Sequence, residues 1–567
     1  VYYDIDENCS FDAGELNLNN WKIEVVSDDQ SFYTLADEAG QYSLALHPGD
    51  YTVTVIPPND LWNPCQSSFE VSIDELEVIN LDFSIQSIVA CPALNVEIAT
   101  AAIRPCFDDG LYVVQYFNHG TLPATDSYVE IELHPELSVD STSIPWTTVN
   151  GNLYTFDLGD IGINTGGSFK IYYTTDCDAE LGASFCSEAH IYPDSLCLPP
   201  SDFWDGSNIE LAGYCQNDFV TFEITNAGDP MSQAVEFIVI EDDMIMLLNE
   251  PLILGPQQDT IINLPANGST WRLEIQQSDY NPHNSQLSAT VEGCGTNLQG
   301  SFSTGFTTLF PQYDVGNPYD TDCVVVTGSY DPNDKSAVPV GYSTQHYIDQ
   351  NVDLEYLIRF QNTGTDTAFN VVIIDTLSNW LDLSTLQPGP SSHPYTFSLS
   401  GENVAKFTFA NIMLPDSNTN EVTSQGFIKF NISQQADVPL ESLITNVAGI
   451  YFDYNLPIYT NEVFHTVGEN FLVMTSTNVY TPDGQEFKVS IQPNPMNHHT
   501  QLSLDGKTVN DGTFLLYDIY GRKLLEERFS GTTFDLHRKG WNEGIYIFEI
   551  REGGIHLGTG KLMIGGE

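Results

Sequence analysis

Oxygen-bearing side chains recur at alternate positions near the start of the chain. They occupy positions 1, 3, 5, 7, 9 and 12 of one short segment, namely Asp4, Asp6, Asn8, Ser10, Asp12 and Glu15. Calcium takes roughly six to eight oxygen ligands, and alternate residues of a curled loop can bring their oxygens to one point. The spacing therefore predicts a Ca²⁺ loop closed by a bidentate glutamate. The alternative is a solvated acidic turn.

Two features of this segment depart from an EF-hand. Cys9 stands at loop position 6, where an EF-hand has glycine, and the flanks have the pattern of strands rather than helices. We therefore expect a calcium loop on a β-domain. Residues 1–88, with "GQYSLALHPGDYTVTVIPP" at 40–58, resemble the calcium-binding B-type repeats of bacterial surface adhesins. That resemblance implies a prealbumin-like sandwich in which calcium is structural and stiffens a stalk.

The ten cysteines all lie before Gly328, and an even number at loop-like positions predicts disulfides formed in an oxidising compartment. In a sandwich, the start of the second strand and the end of the last strand lie at the same end. The resulting expected pairs are Cys9–Cys65, Cys106–Cys197, Cys215–Cys294 and, as a hairpin staple, Cys177–Cys186. Cys91 and Cys323 are left over, and another pairing, such as Cys91–Cys106, stays open.

The elements that must position these residues are strands. Segments such as "YTVTVIPP", "VVQYFN", "FVTFEITN" and "LEYLIRFQN" alternate or run apolar between Gly, Pro, Asn and Asp. The fold class predicted is all-β, a string of about five Ig-like or prealbumin-like β-sandwiches. The expected domains are 1–88, 89–199, 200–300 and 301–468, then a linker at 469–484 and a last sandwich at 485–567.

A repeated hairpin supports this division. Each copy is a strand, then Asn-x-Gly, a polar turn and a second strand, with the pairs Asn118/Gly120, Asn226/Gly228 and Asn362/Gly364. We expect Asn and Gly at these positions because both tolerate the positive φ of a tight strand connection.

The charge of the chain is strongly negative and unevenly spread. The net charge of −61 argues against nucleic acid and an anionic membrane surface as partners. Nine of the 17 basic residues and ten acidic residues follow position 487, so that stretch carries −1 and the rest carries −60. No apolar run approaches the ~20 residues of a membrane span. No signal peptide is present and Val1 cannot be a natural start, so we expect a portion of a longer secreted protein.

The last 80 or so residues carry four short motifs in a fixed order. They are Pro493-Asn494-Pro495, Gly521-Arg522 within "LLYDIYGRKLLEE", Gly544-Ile-Tyr546, and Lys561 ahead of an apolar strand. Residues 485–567 therefore resemble the type A sorting domains of the type IX secretion system of Bacteroidota. That resemblance implies export through an outer-membrane translocon, delivery by a shuttle protein and removal by a sortase-like peptidase, often with attachment to surface lipopolysaccharide. The alternative is one more spacer sandwich.

The fourth predicted domain opens with "SYDPNDK" at 329–335 and closes with "ITNVAGIYFDYNLPIYTNEV" at 444–463. It resembles the conserved-repeat sandwiches that precede sorting domains in large Bacteroidota surface proteins. Asp331, Asn333 and Asp334 are candidates for holding a cation, but a Pro-containing turn that pins the domain entrance is the favoured interpretation.

The sequence contains no GxSxG elbow, HExxH motif, P-loop or Rossmann glycine run. We expect a non-enzymatic role: a secreted structural or adhesive stalk or filament protein of the cell surface. Its surface ligand and any self-association stay open. One alternative is the accessory and sorting region of a secreted hydrolase or peptidase whose catalytic domain lies before Val1. Another is an array of carbohydrate-binding modules.

Overall fold

The structure is a computed structural model of the chain. It describes all residues except 28–29, 217–218, 283–284, 298–299, 314–317, 329–331, 401–402, 470–475, 481–485, 493–495, 497, 506–507, 519–521, 542–543, 554 and 565–567. The chain divides into two compact units, one of Val1–Pro200 with Thr308–Glu469 and one of Ser201–Thr307 with Asn470–Glu567.

The described residues form an all-β architecture of ten sheets, which confirms the predicted fold class. The helical elements in this part of the chain are two 3₁₀ turns at Thr307–Leu309 and Val422–Ser424. Within the described ranges, no helix is both long enough and apolar enough to cross a bilayer.

The first sandwich packs the sheet β2-β1-β8-β6 against the sheet β4-β3-β5-β7. Side chains of β5 alternate between buried and half-buried, as expected for a strand with one face on a core. The strands are β1 (Tyr2–Tyr3), β2 (Leu16–Asn17), β3 (Lys22–Val26), β4 (Ser31–Leu35), β5 (Gly49–Ile56), β6 (Trp62–Pro64), β7 (Ser68–Ile73) and β8 (Ser84–Ser87).

The second sandwich has the four-stranded sheet β12-β15-β10-β9 and a second sheet that contains β13-β14-β11-β16. Its strands before the next domain are β9 (Leu94–Thr100), β10 (Gly110–Asn118), β11 (Ala124–Glu132), β12 (Leu137–Thr142), β13 (Trp146–Asn150), β14 (Leu153–Ile161), β15 (Gly166–Thr175) and β16 (Ser184–Tyr192).

The third sandwich belongs to the other unit and consists of the sheets β17-β18-β21 and β20-β19-β22-β23 around buried Trp271 and Phe222. Its strands are β17 (Ile209–Gln216), β18 (Phe219–Asn226), β19 (Val235–Glu241), β20 (Met244–Leu252), β21 (Asp259–Pro265), β22 (Trp271–Gln276) and β23 (Gln286–Val291).

After the third sandwich the chain returns to the second one. β24 (Tyr319–Val325) pairs antiparallel with β16 and becomes the edge strand of its sheet. The second sandwich is therefore discontinuous in sequence, and the third is an insertion between β16 and β24. The expected fourth domain at 301–468 thus begins with a strand that belongs to the second sandwich.

The fourth sandwich has the sheets β25-β27-β32-β29 and β26-β35-β33-β28-β31-β30, with β34 paired to β33. Its strands are β25 (Lys335–Val338), β26 (Tyr347–Ile348), β27 (Leu354–Gln361), β28 (Val371–Thr376), β29 (Gln387–Ser391), β30 (Thr396–Ser400), β31 (Val404–Phe409), β32 (Gln425–Ile432), β33 (Leu443–Phe452), β34 (Ile458–Tyr459) and β35 (Val463–Val467).

The fifth sandwich has the sheets β36-β37-β38-β41 and β40-β39-β42-β43. Its first strand lies in the stretch expected to be a linker, because β36 pairs with β37. Pro493, Asn494, Pro495 and Gly521 of the sorting motifs lie outside the described residues. The strands are β36 (Ser476–Tyr480), β37 (Glu486–Gln492), β38 (His499–Asp505), β39 (Val509–Asp518), β40 (Lys523–Gly531), β41 (Thr533–His537), β42 (Gly544–Glu552) and β43 (Ile555–Ile564).

The asparagines of the repeated Asn-x-Gly hairpin are buried hydrogen-bonding hubs. The Asn118 Oδ1 accepts the main-chain N–H groups of Gly120 at 2.9 Å and Ala93 at 3.1 Å. Its Nδ2 donates to the carbonyl oxygens of Leu122 and Ile161 at 2.8 and 3.2 Å. A side chain that satisfies four main-chain groups connects the two sheets of the second sandwich at this point.

The same arrangement recurs in the third and fourth sandwiches. The Oδ1 atoms of Asn226 and Asn362 accept the N–H of the glycine two residues on, at 3.0 and 3.1 Å. None of the six Asn and Gly residues has a positive φ, so the conformational reason expected from the sequence is wrong. At Gly120 the constraint is close approach, since a Cβ would lie 2.3 Å from the nitrogen of Ala93.

A buried lysine joins the second and fourth sandwiches within the first unit. The Lys429 Nζ on β32 lies 2.7 Å from Glu355 Oε2 on β27 and 3.2 Å from Asp322 Oδ1 on β24. It also lies 4.0 Å from Asp320 Oδ2 and donates to the carbonyl oxygen of Ile98 at 3.0 Å. Burial lowers the pKa of Lys429, but the three carboxylates outweigh that effect and raise it. Its ammonium is therefore held by groups of both sandwiches.

Three acids around one lysine leave an excess of negative charge in a buried place. Burial, together with Asp320 and Asp322, raises the pKa of Glu355 to about 7 despite the attraction of Lys429. A carboxyl whose pKa is higher in the folded than in the unfolded chain stabilises the fold most below its unfolded value.

The Asn118 hub is tested by replacing its side chain. We expect Asn118→Ala to lower the free energy of unfolding by about 2–3 kcal/mol, because it leaves buried main-chain donors and acceptors without partners. Urea unfolding provides the measurement. Asn150→Ala, at an exposed strand end, is the matched control and should change it by no more than about 0.5 kcal/mol. Equal effects of the two substitutions would contradict the hub.

The acid cluster predicts a pH dependence of stability. Between the unfolded pKa of about 4.3 and the folded value of about 7, the folded chain binds the Glu355 proton more tightly. The contribution of Glu355 to stability should therefore fall as the pH rises through this window. Urea unfolding from pH 4 to 8 measures it, with Glu355→Gln as the comparison. The difference in stability between variant and parent should shift in favour of the variant towards pH 8, and a pH-independent difference would contradict the assignment.

Candidate metal centre

The predicted calcium segment is the connection between two short antiparallel strands. Tyr2 pairs with Asn17 and Tyr3 with Leu16, so residues 4–15 form the loop of this hairpin. The strand β1 also pairs in parallel with β8, which places the loop beside the strand that begins at Ser84. The loop is therefore anchored on one sheet of the first sandwich.

Asp4 is the buried residue at the base of the loop. Its Oδ1 accepts the N–H of Asn8 at 3.1 Å, and its Oδ2 accepts the N–H of Cys9 at 2.8 Å. The Ser84 hydroxyl and the Gln86 amide donate to the same Oδ2 at 3.1 and 2.8 Å. Burial raises the pKa of Asp4, but these four donors outweigh it, so the pKa lies below its ordinary value. The carboxylate thus organises the loop from inside.

Cys9 occupies the position where an EF-hand has glycine, and its backbone shows why that position is special. Its φ is +60°, in the left-handed region that costs an ordinary L-residue roughly 1–2 kcal/mol. The residue is held there by its N–H bond to Asp4 and by a disulfide to Cys65. A glycine would adopt this conformation without strain, whereas Cys9 is kept in it by these two bonds.

The exposed carboxylates face a shared partner. The Asn8 Nδ2 donates to Asp6 Oδ2 at 3.0 Å and to Asp12 Oδ2 at 2.6 Å, while the Asn8 Oδ1 accepts the N–H of Ser10 at 2.7 Å. The amide hydrogens thus lie between two carboxylates. Positive charge at this point would be favoured by the same two groups.

Glu15 closes the loop. Its Oε1 accepts the N–H of Ile5 at 3.2 Å and its Oε2 accepts the N–H of Asp12 at 2.9 Å. One oxygen each of Asp4, Asp6 and Glu15 lie within 4.8 Å of one another. The donor set is all oxygen, which suits a hard cation such as Ca²⁺. The structure thus brings five of the six predicted residues into one hydrogen-bonded loop, while Ser10 takes part through its main-chain N–H.

Two of the four expected disulfides are found, and the other cysteines pair differently. Cys9 pairs with Cys65 and Cys215 with Cys294, as the sequence pattern suggested. The pairs Cys106–Cys197 and Cys177–Cys186 are wrong. The bridges found are Cys106–Cys177, Cys91–Cys197 and Cys186–Cys323.

Two of these three bridges have a topological cause. Cys106 precedes β10 and Cys177 follows β15, and these two strands are neighbours in one sheet. Cys186 lies directly opposite Cys323 in the β16–β24 ladder. The sequence pattern assigned Cys323 to the fourth domain, so the strand that returns after the insertion was the missing information.

The acidic residues at the entrance of the fourth sandwich serve the fold. Asn333 Oδ1 accepts the N–H of Gln361 at 3.1 Å, and Asp334 forms a two-point ion pair with Arg359. The Arg359 Nη1 also donates to the carbonyl oxygen of Ala101 in the second sandwich at 3.1 Å. Asp331 lies outside the described residues. These contacts agree with the turn interpretation rather than with a cation site.

A row of aromatic rings crosses the outer face of the β11-β16-β24 sheet. Tyr128 stacks on Tyr192 with 4.6 Å between ring centroids, and His190 stacks on Tyr319 at 3.7 Å. Stacking covers one face of each ring, while Tyr128 and Tyr319 stay exposed. A sugar stacks on an open ring face, and the mutual stacking leaves fewer such faces on this row.

Sequence reasoning missed a set of charged and amide groups inside the strands of the fourth sandwich. Lys335, Asp375, Asn446 and Lys429 are all buried. These residues could have been recognised as single polar residues at inward-facing positions of apolar strands, in the segments "KSAV", "VVIIDT", "ITNVAGI" and "GFIKFNI". Strand alternation alone marks them as inward-facing.

The role of Asp4 is open to a direct test. Asp4→Asn places a donor where four donors already converge, so we expect a loss of about 2–3 kcal/mol in the free energy of unfolding. Denaturant unfolding in the presence of a chelator isolates this effect from metal binding. Asp6→Asn, on an exposed side chain, should then change stability by no more than about 0.5 kcal/mol. If the two variants were equally stable, the buried carboxylate would not organise the loop.

Comparison with solved structures finds two adhesins and a pilus protein. The collagen adhesin of Staphylococcus aureus is 10% identical, with 67% of this chain and 93% of that chain covered and a TM-score of 0.15. The N-terminal domain of the Streptococcus gordonii adhesin Sgo0707 is 11% identical, with 81% and 96% covered and a TM-score of 0.18. The RrgB pilus protein of Streptococcus pneumoniae is 8% identical, with 79% and 85% covered and a TM-score of 0.21. With TM-scores below 0.5, these similarities carry no argument about this chain.

No curated protein matches the sequence. Residues 331–466, which form the fourth sandwich, match a family model described as "Domain of unknown function (DUF7619)".

Proposed function

We propose that this chain is a secreted structural or adhesive protein of the bacterial cell surface, exported by type IX secretion. The observation that carries the proposal is the linkage of its sandwiches: four disulfides and a buried charge cluster tie the first unit together. Disulfides of this kind persist outside the reducing cytosol. A body with a net charge near −60 remains soluble through self-repulsion.

Residues 485–567 act in this proposal as the export signal. The fifth sandwich carries most of the basic residues and no cysteine, in contrast to the acidic, disulfide-linked body before it. Gly544, with a φ of +135°, opens β42, and Lys561 lies in the neighbouring strand β43. The translocon, the shuttle protein and the sortase-like peptidase would be the partners of this domain.

Calcium has a structural role in the proposal. The oxygens of Asp4, Asp6, Asn8, Asp12 and Glu15 fit a hard cation by their chemistry. When bound, Ca²⁺ would supply the positive charge that the Asn8 amide hydrogens now offer to two carboxylates. The ion would stiffen the hairpin loop rather than take part in a reaction.

The alternative of a carbohydrate-binding array receives less support. The exposed aromatic row of the second sandwich is stacked upon itself, as described above.

The export proposal is tested with two forms of the chain in a Bacteroidota host that has the secretion system. Both forms carry the same added signal peptide for export to the periplasm. The full chain should be labelled by antibody on intact cells or recovered from the medium, whereas a chain ending at residue 468 should stay inside the outer membrane. Gel mobility without reductant checks that the shortened chain has formed its disulfides. Equal surface labelling of the two forms would refute a sorting role for the last domain.

The calcium proposal is tested by thermal unfolding of the full chain. Adding Ca²⁺ in place of a chelator should raise the melting temperature of the transition that includes the first sandwich, because the ion binds only the folded loop. Asp12→Asn should abolish most of this rise, and Asp60→Asn, an exposed acid of the same sandwich, should keep it. A melting temperature that is the same with calcium and with chelator would exclude the site.

A further inference from the structure

Three polar side chains meet inside the apolar core of the fourth sandwich. Lys335 begins β25 in one sheet, while Asp375 on β28 and Asn446 on β33 belong to the facing sheet. Asp375 lies opposite Ala448, two residues from Asn446, so both side chains project from the same face. The side chains of Lys335 and Asp375 are 0% exposed, and Asn446 is 2% exposed.

The contacts within this group are close but incompletely satisfied. The Lys335 Nζ contacts Asp375 Oδ2 and lies 4.4 Å from the centroid of the Tyr356 ring and 5.4 Å from that of Phe430. The Asn446 amide lies beside the Asp375 carboxyl and the Tyr356 hydroxyl. Yet among the described residues Asn446 Nδ2 and Oδ1, Asp375 Oδ1 and the Tyr356 hydroxyl lack a hydrogen bond of normal geometry. If Lys335 and Asp375 formed only an ion pair, these buried polar atoms would stay without hydrogen bonds, which lowers stability.

The surroundings shift both charged groups towards their neutral forms. Burial lowers the pKa of Lys335 to about 8, against the attraction of Asp375. Burial likewise raises the pKa of Asp375, against the attraction of Lys335. A neutral amine in an apolar site is a nucleophile, and a protonated carboxyl beside it is a proton donor.

We propose that Lys335 and Asn446 are joined by an intramolecular isopeptide bond, with the Asp375 carboxyl transferring the protons. The Lys335 amine attacks the side-chain carbonyl carbon of Asn446 while the Asp375 acid protonates the carbonyl oxygen. The carboxylate then takes a proton from the new ammonium group and delivers it to the departing amide nitrogen. As that C–N bond breaks, the carbonyl re-forms and its hydroxyl proton returns to Asp375. One C–N bond forms, one C–N bond breaks, ammonia leaves and Asp375 is restored, so the step needs no oxidant, reductant or cofactor.

The position of the three strands explains what such a bond would do. It would connect β25, the first strand of the sandwich, to β33 of the opposite sheet, where no ladder can form. The fold holds the amine, the amide and the acid next to one another, and this proximity accelerates the amide exchange so that no separate enzyme is needed. The product amide would retain an N–H for the Asp375 carboxylate.

The second buried lysine offers an internal comparison. Lys429 also lies among carboxylates, but its partners are satisfied: Asp320 and Asp322 accept the N–H groups of Ile98 and Thr100 at 2.5 and 3.2 Å. Lys429 itself donates to a main-chain carbonyl oxygen. That cluster is a hydrogen-bonded network, and we expect no covalent link at Lys429.

Mass spectrometry of the reduced full chain tests the proposal. The intact mass should fall below the sequence mass by one ammonia molecule, and tandem spectra of tryptic digests should contain the Lys335 peptide linked to the Asn446 peptide. The Lys429 peptide should be unlinked. An intact mass without this loss would overturn the proposal, and so would loss of one water with a link between Lys335 and Asp375.

Variants separate the role of the acid from that of the fold. Asp375→Ala should keep the full sequence mass, whereas Asp366→Ala, at an exposed acid of the same sandwich, should still lose ammonia. Circular dichroism records whether each variant keeps its β structure. A cross-link that forms undiminished in Asp375→Ala would overturn the assignment of Asp375 as the proton-transferring group.

Discussion

The first unit depends on the burial of one ammonium group, that of Lys429. Taking a charge out of water costs several kcal/mol unless partners surround it, and here those partners come from two sandwiches. Glu355 lies on the same sheet as the lysine, whereas Asp320 and Asp322 lie on the strand that returns to the second sandwich. Separation of the two sandwiches would leave the lysine facing a single carboxylate. The interface is therefore held by a requirement for neutralisation as well as by an apolar cluster of Ala99, Val113 and Phe427.

The charge cluster around Lys429 connects the discontinuous part of the second sandwich to the fourth. The acids that neutralise Lys429 reside on β24, which pairs with β16 only after the third sandwich has been inserted. The Cys186–Cys323 bridge fixes that strand in register. Disulfides, asparagine hubs and buried ion pairs all serve the same purpose, because small sandwiches have limited apolar core and gain stability from specific links.

The sequence pattern was sufficient for the strands, the sandwiches and the residues of the hairpin loop, because these depend on local alternation and spacing. It failed for Cys323, whose partner depends on a strand pairing across an inserted domain. It also failed for the reason behind Asn118: the residue type was noticed, but two of its four hydrogen bonds, to Ala93 and Ile161, involve groups that are distant in sequence. Lys335 entered only as the last residue of the "SYDPNDK" motif, since only its inward position in β25 distinguishes it from a surface lysine. Local patterns thus predicted the strands, whereas the disulfide partners and the buried polar contacts depend on tertiary structure.

The central claim is that the second and fourth sandwiches behave as one cooperative body, and native-state hydrogen exchange of the full chain tests it most directly. Under increasing low concentrations of denaturant, amides of β9 and β24 should exchange through the same opening as amides of β27 and β32, with one common free energy. If the amides of β27 and β32 exchanged through an opening that left β9 and β24 protected, the sandwiches would be independent and the account would be contradicted.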